Sequence, residues 1–386
     1  MDTHSLLFIF FLIFGGAAFL ATLALFLRQP LLIAYIVLGV LLGPYALGFV
    51  AEESVLIEIA DFGILFLLYL LGLDMQPNKL IKTLRNSFFV TLYSAVIFLS
   101  LGLGTGLLFK FSVVESLVIG VSMIFSSTII GIKLLPTTVL HQRHMGEIMV
   151  GILLLQDIIA ILALVFLDIG NPDLMAMFLV LGALALILLI AFLATRYILL
   201  PLFLKFDQFL EYVFLLAIGW CLSLSTLASL IGLSAEIGAF IAGVSLAVSP
   251  IAMYITEKLK PLRDFFLILF FFSLGAQFNI YLLGEILIPV LMLSVLALSL
   301  KPVIFRYLLS KFSDRKDLAW DAGLRLGQIS EFSLLIAFVA TQSALIGEQA
   351  SLLIQAASIL TFLVSSYIVV MFCPTPIGNN PRLRRD

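Results

Sequence analysis

The chain carries little charge and few of the side chains on which soluble active sites depend. Only 11% of its 386 residues are charged and 63% are hydrophobic, whereas soluble domains hold about 25% charged and about 45–50% apolar residues. Two cysteines cannot form a disulfide framework, and a net charge of −2 leaves no basic surplus for a polyanionic partner. With a mean hydropathy of +1.24, the composition excludes a water-soluble enzyme, a nucleic-acid binder and a disordered chain. It predicts an all-α polytopic membrane protein embedded in a lipid bilayer.

Motifs for several other chemistries are also missing. The sequence has no Walker phosphate loop for ATP and no HExxH motif for a catalytic zinc. Its three histidines lie outside the apolar runs, so an intramembrane Ser-His protease has no base. No TVGYG-like filter supports a potassium channel. We therefore expect neither an enzyme nor a bound cofactor.

The apolar runs divide the chain into thirteen candidate membrane spans. A bilayer core of about 30 Å requires roughly 20 apolar residues per helix, and polar or Pro/Gly-marked breaks separate runs of about that size. The spans, numbered 1 to 13 in chain order, are 5–27, 31–50, 55–74, 87–109, 113–134, 147–167, 174–198, 209–230, 233–251, 262–279, 285–308, 318–342 and 350–373.

The positions of lysine and arginine predict the orientation of these spans. Nearly all of the 21 basic residues lie in the loops after odd-numbered spans, in the few span residues that border those loops, or in the C-terminal tail. Only Lys110 lies in a loop after an even-numbered span, while Lys301 and Arg325 fall inside spans. By the positive-inside rule, the N-terminus lies outside and the C-terminus lies in the cytoplasm.

The odd number of spans fits an internally repeated architecture. Spans 1–6 begin outside and spans 8–13 begin inside, so the two groups have opposite orientations, as inverted-repeat transporters require. We expect a first repeat of six helices at 1–168, a linker helix at 169–206 and a second repeat of six helices at 207–374. A short cytoplasmic tail follows at 375–386.

Two ionisable residues lie near the middle of the bilayer. Asp157 lies ten residues after Glu147, at the cytoplasmic start of span 6, and Lys301 lies ten residues before Lys311, at the cytoplasmic end of α-helical span 11. Ten residues correspond to ~15 Å at ~1.5 Å per residue. Ionisable residues at this depth are costly and usually functional. Equal depth on corresponding helices suggests one shared site. The alternative is a purely structural buried ion pair.

Two spans carry polar runs that favour a break in the helix. Span 5 contains Ser126, Ser127 and Thr128, and span 12, its counterpart, contains the run Gly-Gln-Ile-Ser-Glu at 327–331. Hydroxyls and glycine offer the backbone alternatives to the helical ladder, and irregular backbone at this depth must line a cavity. Facing half-helices would present free carbonyls for a lysine to offset and N-terminal dipoles for an acid. The alternative is two continuous helices whose Ser and Thr side chains bond the i−4 carbonyl.

Span 12 holds two further charged residues. Arg325 and Glu331 lie six residues apart, on either side of the expected break. We expect Glu331 to line the cavity or to act as a structural partner, for example of Arg325. Both are assigned a secondary place in the site.

Several segments resemble those of Kef-type potassium/proton antiporters, within the second monovalent cation:proton antiporter family. Segments 34–44 (AYIVLGVLLGP) and 62–74 (FGILFLLYLLGLD) are similar to glycine-rich helices of that family, and 232–243 (GLSAEIGAFIAG) resembles its GLS…GAF(L/I)AG helix. The pair Gln156-Asp157 resembles the Gln-Asp pair that Kef members carry where many sodium/proton antiporters have Asp-Asp.

The resemblance implies a sodium/proton-antiporter-like fold of about thirteen helices with crossed discontinuous helices, usually in a homodimer. Asp157 would bind a monovalent cation and a proton in turn, and Lys301 would stabilise the site or compete for Asp157. The cation's other ligands would be Gln156 and the oxygens of Ser126, Ser127 and Thr128.

The resemblance also implies a substrate and a location. We expect exchange of K⁺ for protons across a bacterial inner membrane. The alternatives are Na⁺/H⁺ exchange on the same fold and a sensory membrane protein that does not transport. Glutathione-gated Kef members carry a nucleotide-binding regulatory domain after the last helix, but only about a dozen residues follow span 13 here. We therefore expect the membrane domain alone, with a possible separate cytoplasmic regulatory subunit.

Overall fold

The structure, a computed structural model, describes most of the chain. It covers residues 6–27, 29–50, 53–74, 77–127, 144–169, 174–247, 252–312 and 319–373. Within these ranges the regular structure is entirely helical. The α-helices are α1 (Leu6–Phe26), α2 (Leu31–Leu42), α3 (Glu53–Asp74), α4 (Pro77–Leu108), α5 (Val113–Ile124), α6 (His144–Ile169), α7 (Leu174–Ala194), α8 (Leu200–Lys205), α9 (Leu210–Leu230), α10 (Ala235–Ala247), α11 (Ala252–Ala276), α12 (Leu283–Phe312), α13 (Ala319–Arg325), α14 (Glu331–Gln342) and α15 (Glu348–Phe372). A π-helical turn, Thr195–Leu199, joins α7 to α8, and a 3₁₀ turn, Ile280–Leu282, precedes α12.

The apolar helices coincide with the predicted spans. Among the described residues, six helices are long and apolar enough to cross a bilayer: Leu7–Phe26, Ser87–Leu108, Gly182–Lys205, Glu211–Leu230, Ile280–Lys311 and Glu348–Phe372. Shorter apolar helices are Leu31–Leu42, Phe62–Leu73, Val113–Ile124, Ile148–Ala160, Ala235–Ala247, Asp264–Ala276 and Glu331–Gln342. Together they fall one to one on the thirteen predicted spans. The predicted class, an all-helical polytopic membrane protein, is confirmed.

The chain forms two compact units, each made of segments that are distant in sequence. Unit 1 has the bounds Met1–Phe49, Ile81–Ala163 and Gly275–Asp386, and unit 2 has the bounds Val50–Leu80 and Leu164–Leu274. Each predicted repeat therefore contributes helices to both units. The repeats themselves stay a prediction.

Unit 2 is held together by close packing of α3 against α10. Gly72 and Gly243 permit this approach, because a Cβ on Gly72 would lie 2.5 Å from the Phe240 carbonyl oxygen and one on Gly243 would collide with that of Tyr69. The buried Tyr69 hydroxyl donates to the Ala217 carbonyl at 2.9 Å, which ties α3 to α9. Glycine thus serves here as the contact surface between membrane helices.

In unit 1, glycines likewise allow α5 to pack closely against α4. A Cβ on Gly102 would lie 2.6 Å from Gly120 Cα, so neither position tolerates a side chain without movement. The start of α5 is fixed by a capping box, in which Ser112 Oγ accepts from Glu115 N at 3.2 Å and Glu115 Oε2 accepts from Ser112 N at 2.9 Å. Glu115 Oε1 also accepts from Gly347 N at 3.1 Å, which places the start of α15 beside that of α5.

Predicted spans 5 and 12 are both interrupted. Helix α5 ends at Ile124, and Phe125 is extended, with φ −81° and ψ 145°. Helix α13 ends at Arg325, and Ser330 (φ −87°, ψ 160°) caps the next helix by accepting from Phe332 N at 3.1 Å. The alternative of two continuous helices is therefore wrong. The continuation of span 5 beyond Ser127 lies outside the described residues.

Candidate functional site

The two interruptions cross each other inside unit 1. The Ser126 hydroxyl donates to the Leu326 carbonyl at 2.8 Å, and the Ser333 hydroxyl donates to the Ser122 carbonyl at 2.7 Å. Gln328 Nε2 donates to the Ser127 carbonyl at 3.3 Å. These contacts satisfy backbone groups that the broken helical ladders leave free. The predicted crossing of two discontinuous helices is confirmed.

Lys301 lies at this crossing and binds both breaks. Its ammonium donates to the carbonyl oxygen of Phe125 at 2.7 Å and to that of Gln328 at 2.8 Å. The side chain is fully buried. Because Phe125 follows the last residue of α5, the ammonium offsets the negative end of that half-helix. One side chain therefore neutralises carbonyls from both interrupted spans.

Pro302, next to Lys301 on α12, is the residue against which α13 and the second break pack. The proline lies inside α12 and contributes no backbone N–H. A Cβ on Gly323 would lie 2.5 Å from the Pro302 carbonyl oxygen, and one on Gly327 would lie 2.6 Å from Pro302 Cγ. The two glycines thus let α13 and the second break approach α12 beside Lys301.

Gln156 fastens the first break. From α6, its Nε2 donates to the Ile124 carbonyl at 3.0 Å, and its Oε1 accepts from Ser126 N at 3.0 Å. An amide can make both bonds at once, whereas an ionised carboxylate can only accept. The predicted cation ligand Gln156 is thus engaged with the backbone through both of its polar atoms.

The second break is fastened in the same way from α15. Thr361 Oγ1 accepts from Ile329 N at 3.2 Å, and the Ser365 hydroxyl donates to Gln328 Oε1 at 3.0 Å. Ser126 and Ile329 are separated by the same number of residues as Phe125 and Gln328, the two carbonyl partners of Lys301. The two breaks are thus fastened at positions with the same sequence separation, and the repeats stay a prediction.

Asp157 follows Gln156 on α6 and is buried, with 4% of its surface exposed. Among the described residues, its carboxylate has no hydrogen-bond or ion-pair partner. The proposed structural ion pair with Lys301 is therefore absent, because the lysine binds carbonyls instead. Glu331, at the start of α14, is close enough for the two carboxylates to interact electrostatically.

Arg325 binds an acid on its own helix. It is fully buried at the end of α13, and its Nε donates to Asp321 Oδ1 at 3.1 Å, one turn earlier on the same helix. Its carbonyl accepts from Gln328 Nε2 at 2.9 Å. Arg325 thus fixes the half-helix that leads into the second break.

The hydroxyl cluster of span 5 is only partly described. Ser126 and Ser127 are buried at the break, and the Ser126 hydroxyl is committed to Leu326. Thr128, the third predicted oxygen ligand, lies outside the described residues. The structure thus brings Asp157, Gln156, Ser126, Ser127 and Lys301 to one crossing.

Sequence reasoning missed the aromatic contact of Lys301 and the fastening role of α15. The Lys301 ammonium lies 5.1 Å from the centroid of the Phe98 ring on α4. Nothing distinguishes Phe98 among the 35 phenylalanines of the chain. Thr361 and Ser365 gave a weak signal, since both belong to a polar face of an otherwise apolar span.

The site holds a buried acid, Asp157, directly after Gln156 on α6, and a buried ammonium, Lys301, on the carbonyls of both breaks. A carboxylate without a permanent partner can take up either a proton or a cation. Among the described residues, no group of three or more His, Cys, Asp or Glu side chains could hold a metal ion.

Comparison with known proteins gives relatives that are named as transporters. K(+) efflux antiporter 5 of Arabidopsis thaliana is 30% identical over 325 residues, which cover 80% of this chain and 56% of that protein. Iron transporter MagA of Paramagnetospirillum magneticum is 28% identical over 350 residues, which cover 88% of this chain and 80% of that protein. The chain thus spans little more than half the length of the plant relative.

The fold and the family are also established by comparison. The solved structure of the sodium proton antiporter MjNhaP1 from Methanocaldococcus jannaschii matches 93% of this chain and 98% of that chain, with a TM-score of 0.68 at 17% identity. This likeness confirms the predicted antiporter-like fold. The model of the family described as sodium/hydrogen exchanger, transmembrane, matches residues 9–373. The chain therefore belongs to the sodium/hydrogen exchanger transmembrane family, as its resemblance to Kef-type antiporters implied.

Proposed function

We propose that this protein is a secondary active transporter that exchanges a monovalent cation for protons by alternating access. The observation that carries the proposal is Asp157, a buried carboxylate without a hydrogen-bond partner among the described residues, beside two crossed helix breaks. A proton and a cation compete for it. Either one neutralises the site, whereas the empty carboxylate is costly to move through a low-dielectric core.

Exchange at one carboxylate implies a one-for-one stoichiometry. Lys301 keeps its charge on the backbone carbonyls, so Asp157 is the group whose occupancy changes. One monovalent cation replaces one proton, and no net charge crosses the membrane. Transport accelerated by an imposed membrane potential would contradict this stoichiometry.

The cation's ligands in this proposal are Asp157 and neighbouring oxygens of span 5. Ser127 and Thr128 contribute oxygens, and Gln156 Oε1 keeps one lone pair beyond its bond to Ser126 N. Hard monovalent cations prefer such oxygen ligands. Gln156 and Ser126 otherwise position the break rather than hold the ion.

Potassium is the proposed cation, because the Arabidopsis relatives are K(+) efflux antiporters by name. Sodium is the alternative, since the protein of the matched fold is a sodium proton antiporter. A relative named as an iron transporter makes ferrous iron a necessary third cation in any assay. We further propose a homodimer in a bacterial inner membrane, with the C-terminus in the cytoplasm and a separate regulatory subunit as a possible partner.

The test is proton flux in proteoliposomes with an imposed pH gradient and a pH-sensitive dye. Potassium should collapse the gradient in the wild type, and Asp157→Asn should reduce the rate to that of empty liposomes. The matched control is Asp207→Asn, which changes an exposed acid in the turn after α8 and should keep the wild-type rate.

Two results would overturn the proposal. Undiminished flux in Asp157→Asn would remove the carboxylate from the exchange mechanism. A wild type that is inactive with potassium, sodium and ferrous iron would favour the sensory alternative.

A further inference from the structure

The Lys301 ammonium is enclosed by three groups, and only two of them are backbone carbonyls. An ammonium has three N–H donors, and the carbonyls of Phe125 and Gln328 receive two of them. The face of the Phe98 ring lies over the same nitrogen, 5.1 Å from its centroid. Phe98 is fully buried. No step of the proposed exchange assigns this ring a role.

The ring is held in that orientation by a second aromatic residue. Phe305, one turn after Lys301 on α12, packs edge-on against Phe98, with centroids 5.2 Å apart and planes inclined by 65°. Phe305 is also fully buried. The negative face of the Phe98 ring is therefore fixed toward the cation, which is the favourable geometry for cation–π attraction.

Phe98 also occupies a particular place in the predicted repeats. It is separated from Lys301 by the same number of residues as Phe125 is from Gln328, and it lies on span 4, the counterpart of span 11. Equivalent positions of the two repeats thus meet at the crossing. One supplies a cation and the other supplies the π face that covers it.

Asp157 directly follows the residue that bonds this stretch of backbone. Its neighbour Gln156 bonds Ile124 and Ser126, the residues on either side of Phe125, whose carbonyl holds the lysine. An ammonium released from Phe125 would be a tethered cation on the break that Gln156, the neighbour of Asp157, bonds. From there it would compete with the transported ion for the carboxylate.

We propose that Phe98 is a positioning residue, whose ring keeps the Lys301 ammonium on the carbonyls of Phe125 and Gln328 and away from Asp157. This inference rests on the proposed antiport function. Losing the ring face weakens the hold on the ammonium. The internal cation then competes at Asp157, and the apparent affinity for the external cation falls.

The experiment measures KM and the maximal rate for potassium-driven proton flux in proteoliposomes. Phe98→Leu should raise KM about tenfold and leave the maximal rate within about twofold, while Phe98→Tyr, which keeps the ring face, should restore the wild-type KM. Phe203→Leu is the matched control, because it truncates a fully buried phenylalanine in the core of unit 2.

A second substitution keeps the shape of the ring, so that a change in KM cannot be attributed to impaired folding. Replacing Phe98 with a fluorinated phenylalanine through an expanded genetic code withdraws electron density from the face with almost no change in volume. We expect KM to rise with the degree of fluorination at a constant maximal rate. A KM that stays at the wild-type value in the fluorinated and leucine variants would overturn the proposal.

These outcomes separate the two proposals. A wild type without flux for any of the three cations refutes the antiport function, whatever Phe98 does. Wild-type flux with unchanged KM in all Phe98 variants refutes only the role of Phe98.

Discussion

At the scale of single residues, the site depends on side chains that hydrogen-bond the backbone groups left without helical partners at the breaks. Gln156 gives one donor and one acceptor to two backbone groups that no helix satisfies. A buried backbone group without a partner costs about 1–3 kcal/mol. Gln156 is therefore a stability determinant as well as the neighbour of the exchanging acid.

Gln156→Leu should lower the free energy of unfolding by about 2–4 kcal/mol, because it leaves the Ile124 carbonyl and the Ser126 amide unpaired. Thermal unfolding of the purified protein in detergent checks this. Gln342→Leu, at an exposed position at the end of α14, is the matched control and should shift the midpoint little. If Gln156→Leu kept the wild-type unfolding midpoint but bound the cation more weakly, the amide would be a cation ligand without the stabilising role described here.

At the scale of helices, glycine decides how closely the broken span can approach α12. At Gly323 the obstacle to a side chain is the backbone carbonyl of Pro302, which cannot rotate away. At Gly104, on an exposed face of α4, an added Cβ would meet nothing within 4 Å. Glycine-to-alanine substitution is therefore expected to have opposite effects on stability at these two positions of unit 1.

Gly323→Ala should destabilise the protein by about 1–3 kcal/mol through overpacking against Pro302. Gly104→Ala should be neutral or stabilise it by up to about 1 kcal/mol, because alanine favours the helix. Unfolding midpoints of the two variants against the wild type check this difference. Equal midpoints would mean that α13 does not pack against α12 as described.

At the scale of the whole molecule, the arrangement of basic residues predicts which ends of the helices face the cytoplasm. Both native cysteines, Cys221 and Cys373, are buried, so they give little background in a thiol-labelling experiment. Ser343, between α14 and α15, and Lys311, near the end of α12, are exposed. They lie on opposite sides of the membrane in the predicted topology.

In intact cells, a membrane-impermeant maleimide should label Ser343→Cys at once and Lys311→Cys only after permeabilisation. The reason is the positive-inside rule, which places the loop after span 11 in the cytoplasm. Labelling in the reverse order would contradict the predicted topology.

The sequence was sufficient for the spans and for the two breaks, because both depend on local composition. Runs of apolar residues mark the helices, and Ser, Thr and Gly mark the points at which the ladder ends. The partners of Lys301 could not be predicted from the sequence, because its contacts with Phe98 and Phe125 form only when helices distant in sequence pack together. The bond between Asp321 and Arg325 could have been predicted, because i and i+4 residues meet on any helix.

Phe98 and Lys301 occupy equivalent positions in the predicted repeats, so their contact limits which residues those two positions can carry. Lysine at both equivalent positions would place two ammonium ions about 5 Å apart, with a repulsion of about 3 kcal/mol at an effective dielectric constant of 20. Phenylalanine at both would leave the carbonyls of both breaks without a counter-charge. The centre of a duplicated chain therefore has to be asymmetric. A protein assembled from two identical half-chains would carry the same residue at both positions, and so could not pair a cation with the ring face that covers it.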